Sequence, residues 1–234
     1  MPARKIEAAE LVKHRLFLAS PQYGGQCYTI FARSVTDLGL LCGFYRIPLD
    51  THWVMNESAV TRARNYCADE FLRSESDHLL FIDADIGFKA QDAIELLILQ
   101  IQNPEYQVIG APYRTKSIDV NHWAFNYKDQ FDPGSTEPVE VSGTGTGFML
   151  IHRSVFEALR DRFPQWSYRP DGIPGTPFDG SRDIMKFFHL EIDPPSRRDL
   201  TEDYWFCNRC ADIGIRTWLC PWMKLRHAGM HIFE

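Results

Sequence analysis

The residues of this 234-residue chain best suited to chemistry are two carboxylates two positions apart, Asp83-Ala84-Asp85, directly after the apolar run Leu79-Leu80-Phe81-Ile82. In an extended segment, residues two apart face the same side, so both carboxylates can address one ligand. Two hard oxygen donors suit Mg²⁺ or Mn²⁺ chelated by a diphosphate, because these ions keep positions open for substrate oxygens. The tripeptide also has an ordinary reading, in which Asp85 merely starts the next helix. Position favours chemistry: a short continuous apolar run reads as a strand buried on both faces, and open α/β sheets bind ligands at the carboxyl ends of their strands.

The elements that must position this pair alternate. Residues 15–19 read as a strand, 20–25 as a turn, 28–38 as a helix and 40–46 as a second strand. Residues 57–72 carry apolar side chains at helical spacing, 79–82 form the next strand, and a helix over 90–101 leads to a strand at 107–110. This order predicts an α/β fold with a largely parallel sheet and helices on both faces. After about residue 111 the pattern becomes more irregular. Strands are expected at 121–127, 138–142 and 148–151, a helix from 154, a long loop-dominated stretch over 163–199, a helix at 201–213, and short strands at 216–219 and 223–226.

Composition narrows the function classes. Apolar residues make up 44% and charged residues 24%, which predicts a packed core. The net charge of −6 gives no sign of a nucleic-acid grip. No stretch reaches the roughly 20 apolar residues of a membrane span, and the first residues carry no apolar signal core. These features, with six dispersed cysteines, predict a cytoplasmic protein with reduced thiols.

A more specific pattern is the segment Val60-Thr61-Arg62-Ala63-Arg64-Asn65 followed by His78-Leu79-Leu80-Phe81-Ile82-Asp83-Ala84-Asp85. It resembles family 2 glycosyltransferases, nucleotide-diphospho-sugar transferases in which an Ala-Arg-Asn helix precedes a strand ending in Asp-x-Asp. The resemblance continues at Gly143-Thr144-Gly145-Thr146-Gly147-Phe148-Met149-Leu150, at Thr201-Glu202-Asp203-Tyr204-Trp205-Phe206 and at Arg226-His227-Ala228-Gly229. These blocks keep the family's order over most of residues 20–227, and the closest likeness is to compact viral and phage enzymes.

The resemblance implies a single Rossmann-like GT-A domain over 1–234, with a nucleotide-sugar half at about 15–110 and an acceptor half at about 111–234. It implies that Pro21 and Tyr23 lie against the nucleotide and that Arg64 and Asn65, with Arg62 beside them, contact base or phosphates. Asp83 would reach the ribose and metal-bound water, Asp85 would ligate Mn²⁺ or Mg²⁺, and His227 would be a late metal ligand. Asp203, next to Glu202, matches the catalytic base. The family's processive Gln-x-x-Arg-Trp motif is absent, which points to transfer of one sugar, with inversion, to a hydroxyl of a glycan, protein, lipid head group or modified nucleobase.

Plainer readings stand beside these. Arg62 and Arg64 also suit solvated helix charges, His227 a core histidine, and Glu202 and Asp203 a helix start. Gly143, Gly145 and Gly147 read either as a close approach of backbone to a sugar or as a turn. Cys207 and Cys210 lack the second pair that a closed zinc site needs and read as helix packing. Trp166, Tyr168, Phe178, Phe187 and Phe188 suit a sugar platform or a core. Two other functions compete: a haloacid-dehalogenase-type phosphatase, with Asp83 as nucleophile and Asp199-x-x-x-Asp203 as its later acidic motif, and a non-catalytic nucleotide-sugar or glycan-binding module.

Overall fold

The computed structural model describes residues 6–117, 122–128, 132, 134–172, 178–229 and 232–233. From the N-terminus these form α1 (Ala8–Leu11), β1 (Leu16–Gln22), α2 (Thr29–Tyr45), β2 (Leu49–Met55), α3 (Val60–Arg73), β3 (His78–Ile82), β4 (Ile86–Gly87) and α4 (Ala90–Gln102). There follow β5 (Val108–Gly110), β6 (Phe125–Tyr127), β7 (Val139–Thr144), β8 (Phe148–His152) and α5 (Arg153–Arg162). Two small ladders come next, β9 (Ser167–Tyr168) with β10 (Ile184–Met185) and β11 (Glu191–Ile192) with β12 (Asp199–Leu200). The chain closes with α6 (Glu202–Asp212), β13 (Thr217–Leu219), β14 (Arg226–Ala228) and β15 (Ile232–Phe233).

Alternation along the strands sets the layers. Leu16 and Leu18 of β1, Leu80 and Ile82 of β3, and Phe148 and Leu150 of β8 face a core shared with α2 and α4. Phe17 and Ala19, Leu79 and Phe81, Met149 and Ile151 face the opposite core, under α3, α5 and α6. The resulting eight-stranded sheet has the order β2-β1-β3-β8-β5-β13-β7-β6. β8 and β7 run against their neighbours, and the remaining strands share one direction. This is the expected α/β architecture, a mostly parallel sheet with helices on both faces. Residues beyond 111 are not a separate layer, because β6, β7, β8 and β13 belong to the same sheet.

The second strand is a correction. Residues 40–46 are not a strand: α2 continues through them, burying Leu38 and Cys42 and leaving Leu40 and Phe44 exposed. Arg46, in the left-handed conformation, ends the helix. The edge strand β2 follows at Leu49–Met55 with a mostly half-exposed pattern, so it lacks the apolar run that marks a buried strand. The expected strand over 121–127 shortens to Phe125–Tyr127, and residue 121 lies outside the described residues, as do residues 1–5.

The loop-rich segment over 163–199 is pinned from below. Phe178, Phe187 and Phe188 are buried under the sheet rather than forming a sugar platform, Phe178 stacks on Tyr66 at 3.9 Å, and Trp166 stacks on Phe163. Asn65 of α3 reads Phe188 as a strand would: its Nδ2 donates to the Phe188 carbonyl at 3.1 Å and its Oδ1 accepts from the Phe188 N–H at 2.8 Å. Cys207 and Cys210 are buried side by side in α6 as packing residues, and burial raises both thiols.

Asn65→Ala would orphan the buried donor and acceptor of Phe188, so unfolding free energy should fall by about 2 kcal/mol or more. Urea denaturation measures this; a loss below about 0.5 kcal/mol, the size of an ordinary surface change, would show that the clamp is dispensable.

Candidate active site

The carboxyl ends of the parallel strands meet at one edge of the sheet. β3 pairs with β1 only as far as Ala19, so Pro21 and Gln22 run beyond it, paired with β2 alone. Asp83, Ala84 and Asp85 leave β3 into the gap. Their backbone is held on three sides: Asp83 N–H donates to the Gly147 carbonyl at 3.1 Å, Tyr28 N–H to the Ala84 carbonyl at 2.8 Å, and Ala228 N–H to the Asp85 carbonyl at 2.8 Å. A cavity of about 550 Å³ opens here, lined by Pro21, Tyr23, Tyr28, Glu57, Arg64, Asp83 and Asp85 among others. That size suits a small-molecule ligand.

The two carboxylates of the pair have different partners. Arg64 is buried, and its Nη2 donates to Asp83 Oδ1 at 2.8 Å while its Nε donates to Glu202 Oε1 at 3.0 Å. Burial works against the Arg64 charge, but the carboxylates of Asp83 and Glu202 outweigh it and hold the guanidinium firmly protonated. It is not a solvated helix charge. Its remaining nitrogen, Nη1, is buried without a hydrogen-bond partner. Arg62 instead pairs with Glu57, and Asn65 spends its amide on Phe188, so neither side chain lines the cavity.

Asp85 faces the other way. Its Oδ2 accepts from the Lys116 ammonium, and its Oδ1, buried without a hydrogen bond, lies 3.5 Å from His227 Nε2. Burial pushes the Asp85 carboxyl up, but the pull of His227 and Lys116 outweighs it and leaves the group below its ordinary value. β14 brings His227 here by pairing antiparallel with β4, which sets His227 opposite Ile86. His227 Nδ1 is 2.8 Å from the Arg114 carbonyl, which makes Nδ1 the donor and turns Nε2 toward Asp85. An anionic oxygen and a ring nitrogen converging on one point fit a divalent cation between them. The chemistry of this donor pair, Asp85 and His227, therefore fits a metal.

Asp203 stands at the start of α6. Thr201 Oγ1 and the Tyr204 N–H both donate to its Oδ1, at 2.5 and 2.9 Å. Burial first, and the neighbouring Glu202 charge second, raise its carboxyl above the ordinary value. The glycines of the 143–147 loop make room for rings, not for a sugar. A Cβ at Gly143 would lie 2.7 Å from the Tyr204 ring, and one at Gly145 would lie 2.0 Å from the Tyr113 hydroxyl and 3.4 Å from Asp203 Oδ2. Tyr113 is thereby packed against Gly145 and Gly147; its hydroxyl accepts from the Gly147 N–H at 3.2 Å, and its ring meets His227 edge-on.

No family model and no curated protein matches the chain. Among solved structures, A197 from STIV aligns with a TM-score of 0.55 and 18% identity, covering 92% of this chain and 86% of that one. GalNAc-T7, solved with UDP, GalNAc and Mn²⁺, aligns with a TM-score of 0.51 and 11% identity, covering 92% of this chain and 44% of that one. The chain has the GT-A fold.

In this GT-A chain, Pro21, Tyr23, Arg64, Asp83 and Asp85 line one cavity. Glu202 joins it through Arg64 and His227 through Asp85. Lys116, Tyr113 and Tyr28 escaped sequence reasoning: an isolated lysine or tyrosine in a loop carries no spacing signal. The phosphatase reading loses its parts, since Asp83 is tied to Arg64 and Asp199 is exposed on β12. No described helix is long and apolar enough to cross a membrane.

Arg64→Ala would leave Asp83 and the buried Glu202 without their shared cation, a loss expected to cost about 3–5 kcal/mol. Chemical denaturation measures it, and a cost under about 1 kcal/mol would return Arg64 to the class of surface charges.

Proposed function

We propose that this chain is a metal-dependent glycosyltransferase that moves one sugar from a nucleoside-diphosphate sugar to a hydroxyl acceptor, with inversion and with Asp203 as base. One observation carries the reading: Asp85, in the wall of a ligand-sized cavity at the carboxyl edge of a GT-A sheet, has its Oδ1 3.5 Å from His227 Nε2. Mn²⁺ or Mg²⁺ bound by these two side chains would neutralise the diphosphate as it leaves. The Mn²⁺ and UDP found with the structural neighbour GalNAc-T7 are of the same chemical class.

The chain's own groups divide the remaining work. Tyr23 and Tyr28 present exposed rings beside the cavity, suited to a nucleobase. Lys116, paired with Asp85, supplies a second positive charge that can turn to a phosphate. Arg64 serves chiefly to hold Asp83 in place, with Nη1 as its one unused donor. Asp203 uses Oδ1 for its two local hydrogen bonds, which leaves Oδ2 for a proton. In the reaction Asp203 takes the acceptor's hydroxyl proton, the acceptor oxygen bonds to the anomeric carbon, and the bond to the nucleoside diphosphate breaks. Attack opposite the leaving group inverts the centre. Neither Cys207 nor Cys210, both buried with raised thiols, enters this chemistry.

Calorimetric titration of UDP with Mn²⁺, and again with chelator, tests the metal. Binding should depend on Mn²⁺ and be lost in Asp85→Asn; equal affinity in chelator would assign the charge neutralisation to Lys116 alone.

Asp203→Asn should keep donor affinity near wild type while turnover drops by about 10²–10⁴-fold, the usual worth of a general base. The base works deprotonated, and its carboxyl is raised. The acid limb of kcat/KM should therefore fall off at a pH above about 3.9, the ordinary aspartate value, and vanish with the residual rate of Asp203→Asn. A folded Asp203→Asn variant with normal turnover would pass the role to Glu202.

A further inference from the structure

The opposite edge of the sheet carries a second convergence of ligand atoms. Among the described residues, His14, Asp77 and His78 form the one group whose nitrogen and carboxylate atoms all lie within 4.8 Å of one another. His78 opens β3, Asp77 precedes it, and His14 lies in the turn between α1 and β1. β3 separates this cluster from Asp83 by its whole length, roughly 16 Å at ~3.3 Å per residue.

The outer hydrogen bonds decide how the two imidazoles face each other. Gln100 Nε2 donates to the Tyr106 and Gln107 carbonyls, at 2.9 and 3.0 Å, which fixes the amide so that its oxygen meets His78 Nδ1 at 2.6 Å. His78 Nδ1 must therefore carry the proton, and Nε2 presents a lone pair. On the other ring, Glu10 Oε1 faces His14 Nε2 at 3.6 Å, beyond hydrogen-bond reach. His14 Nδ1 lies 3.1 Å from His78 Nε2, a ring-to-ring hydrogen bond in which the His14 N–H faces the His78 lone pair; a cation between the rings would displace that one proton and take both nitrogens. The separation is close to the roughly 3.3 Å ligand–ligand edge of a tetrahedral site with Zn–N bonds of about 2.0–2.1 Å. A carboxylate or amide on the outer nitrogen of each ligating histidine is the usual outer shell of a bound metal.

We propose that His14, His78 and Asp77 form a Zn²⁺ site that pins α1 and the turn after it to the start of β3. Two imidazoles and a carboxylate are a ligand set that zinc accepts, and a water fills the fourth position. The ion staples a short N-terminal helix to the sheet, and its role is structural. This site is independent of the donor cavity and of the activity proposed for it.

The test uses the full chain, stripped with chelator, in an Asp85→Asn background that disables the cavity's metal ligands. Calorimetric titration with Zn²⁺ should show one equivalent bound and a raised Tm, and Co²⁺ in its place should give the visible bands of a tetrahedral centre. Adding His14→Ala, a half-exposed position, or Asp77→Asn should each weaken Zn²⁺ binding by at least about tenfold, the loss that even an outer-shell partner produces. Circular dichroism confirms that the variants remain folded. No Zn²⁺ binding, or binding that either substitution leaves unchanged, overturns the site.

Discussion

A guanidinium buried at the junction of three elements has to be compensated where it stands, because moving it to water is not open to it. Arg64 meets that condition by reaching Asp83 at the end of β3 and Glu202 at the start of α6, 138 residues further along the chain. Three consequences follow. The end of β3 is locked to α3, α6 is fixed at its first turn, and Asp83 is committed to an internal pair. With Asp83 Oδ1 so engaged, it is Asp85 of the acidic pair that turns toward Lys116 and His227. The division of labour within the tripeptide thus comes from a contact made far from it in sequence. The Arg64 Cζ also lies over the Phe81 ring, 5.4 Å from its centroid, within cation–π range.

Close packing of backbone against rings shapes the other side of the cavity. The 143–147 loop passes Tyr113 and Tyr204 at distances that no Cβ could occupy. Gly110 is equally constrained, since a Cβ there would sit 2.8 Å from the Phe148 carbonyl in the neighbouring strand. Burial of Tyr113, held in this slot, together with the Asp83 and Asp203 charges raises its phenol well above the ordinary value. It remains a neutral donor and acceptor.

The two edges of the sheet use the same device for different ends. At the carboxyl edge, the Arg114 carbonyl turns His227 Nε2 toward Asp85; at the amino edge, Gln100 turns His78 Nε2 toward His14. In both cases an outer hydrogen bond selects the tautomer and aims a lone pair. The carboxyl edge adds a ligand-sized cavity flanked by the exposed rings of Tyr23 and Tyr28.

The layers of the fold are legible in the sequence. Alternation in residues 16–19, 79–82 and 148–151 encodes which face each side chain takes, and the apolar run before Asp83 marks the strand end where ligands bind. It did not separate the apolar end of α2 from a strand, because Leu40 and Phe44 are exposed apolar residues that imitate burial. Partners were decided only by the tertiary structure. That Arg64 meets Glu202, that Asn65 clamps Phe188, and that three glycines make room for two tyrosines are contacts across long separations. Periodicity reports the direction in which a side chain points; what it meets there is set by the packing of elements that the local sequence does not contain.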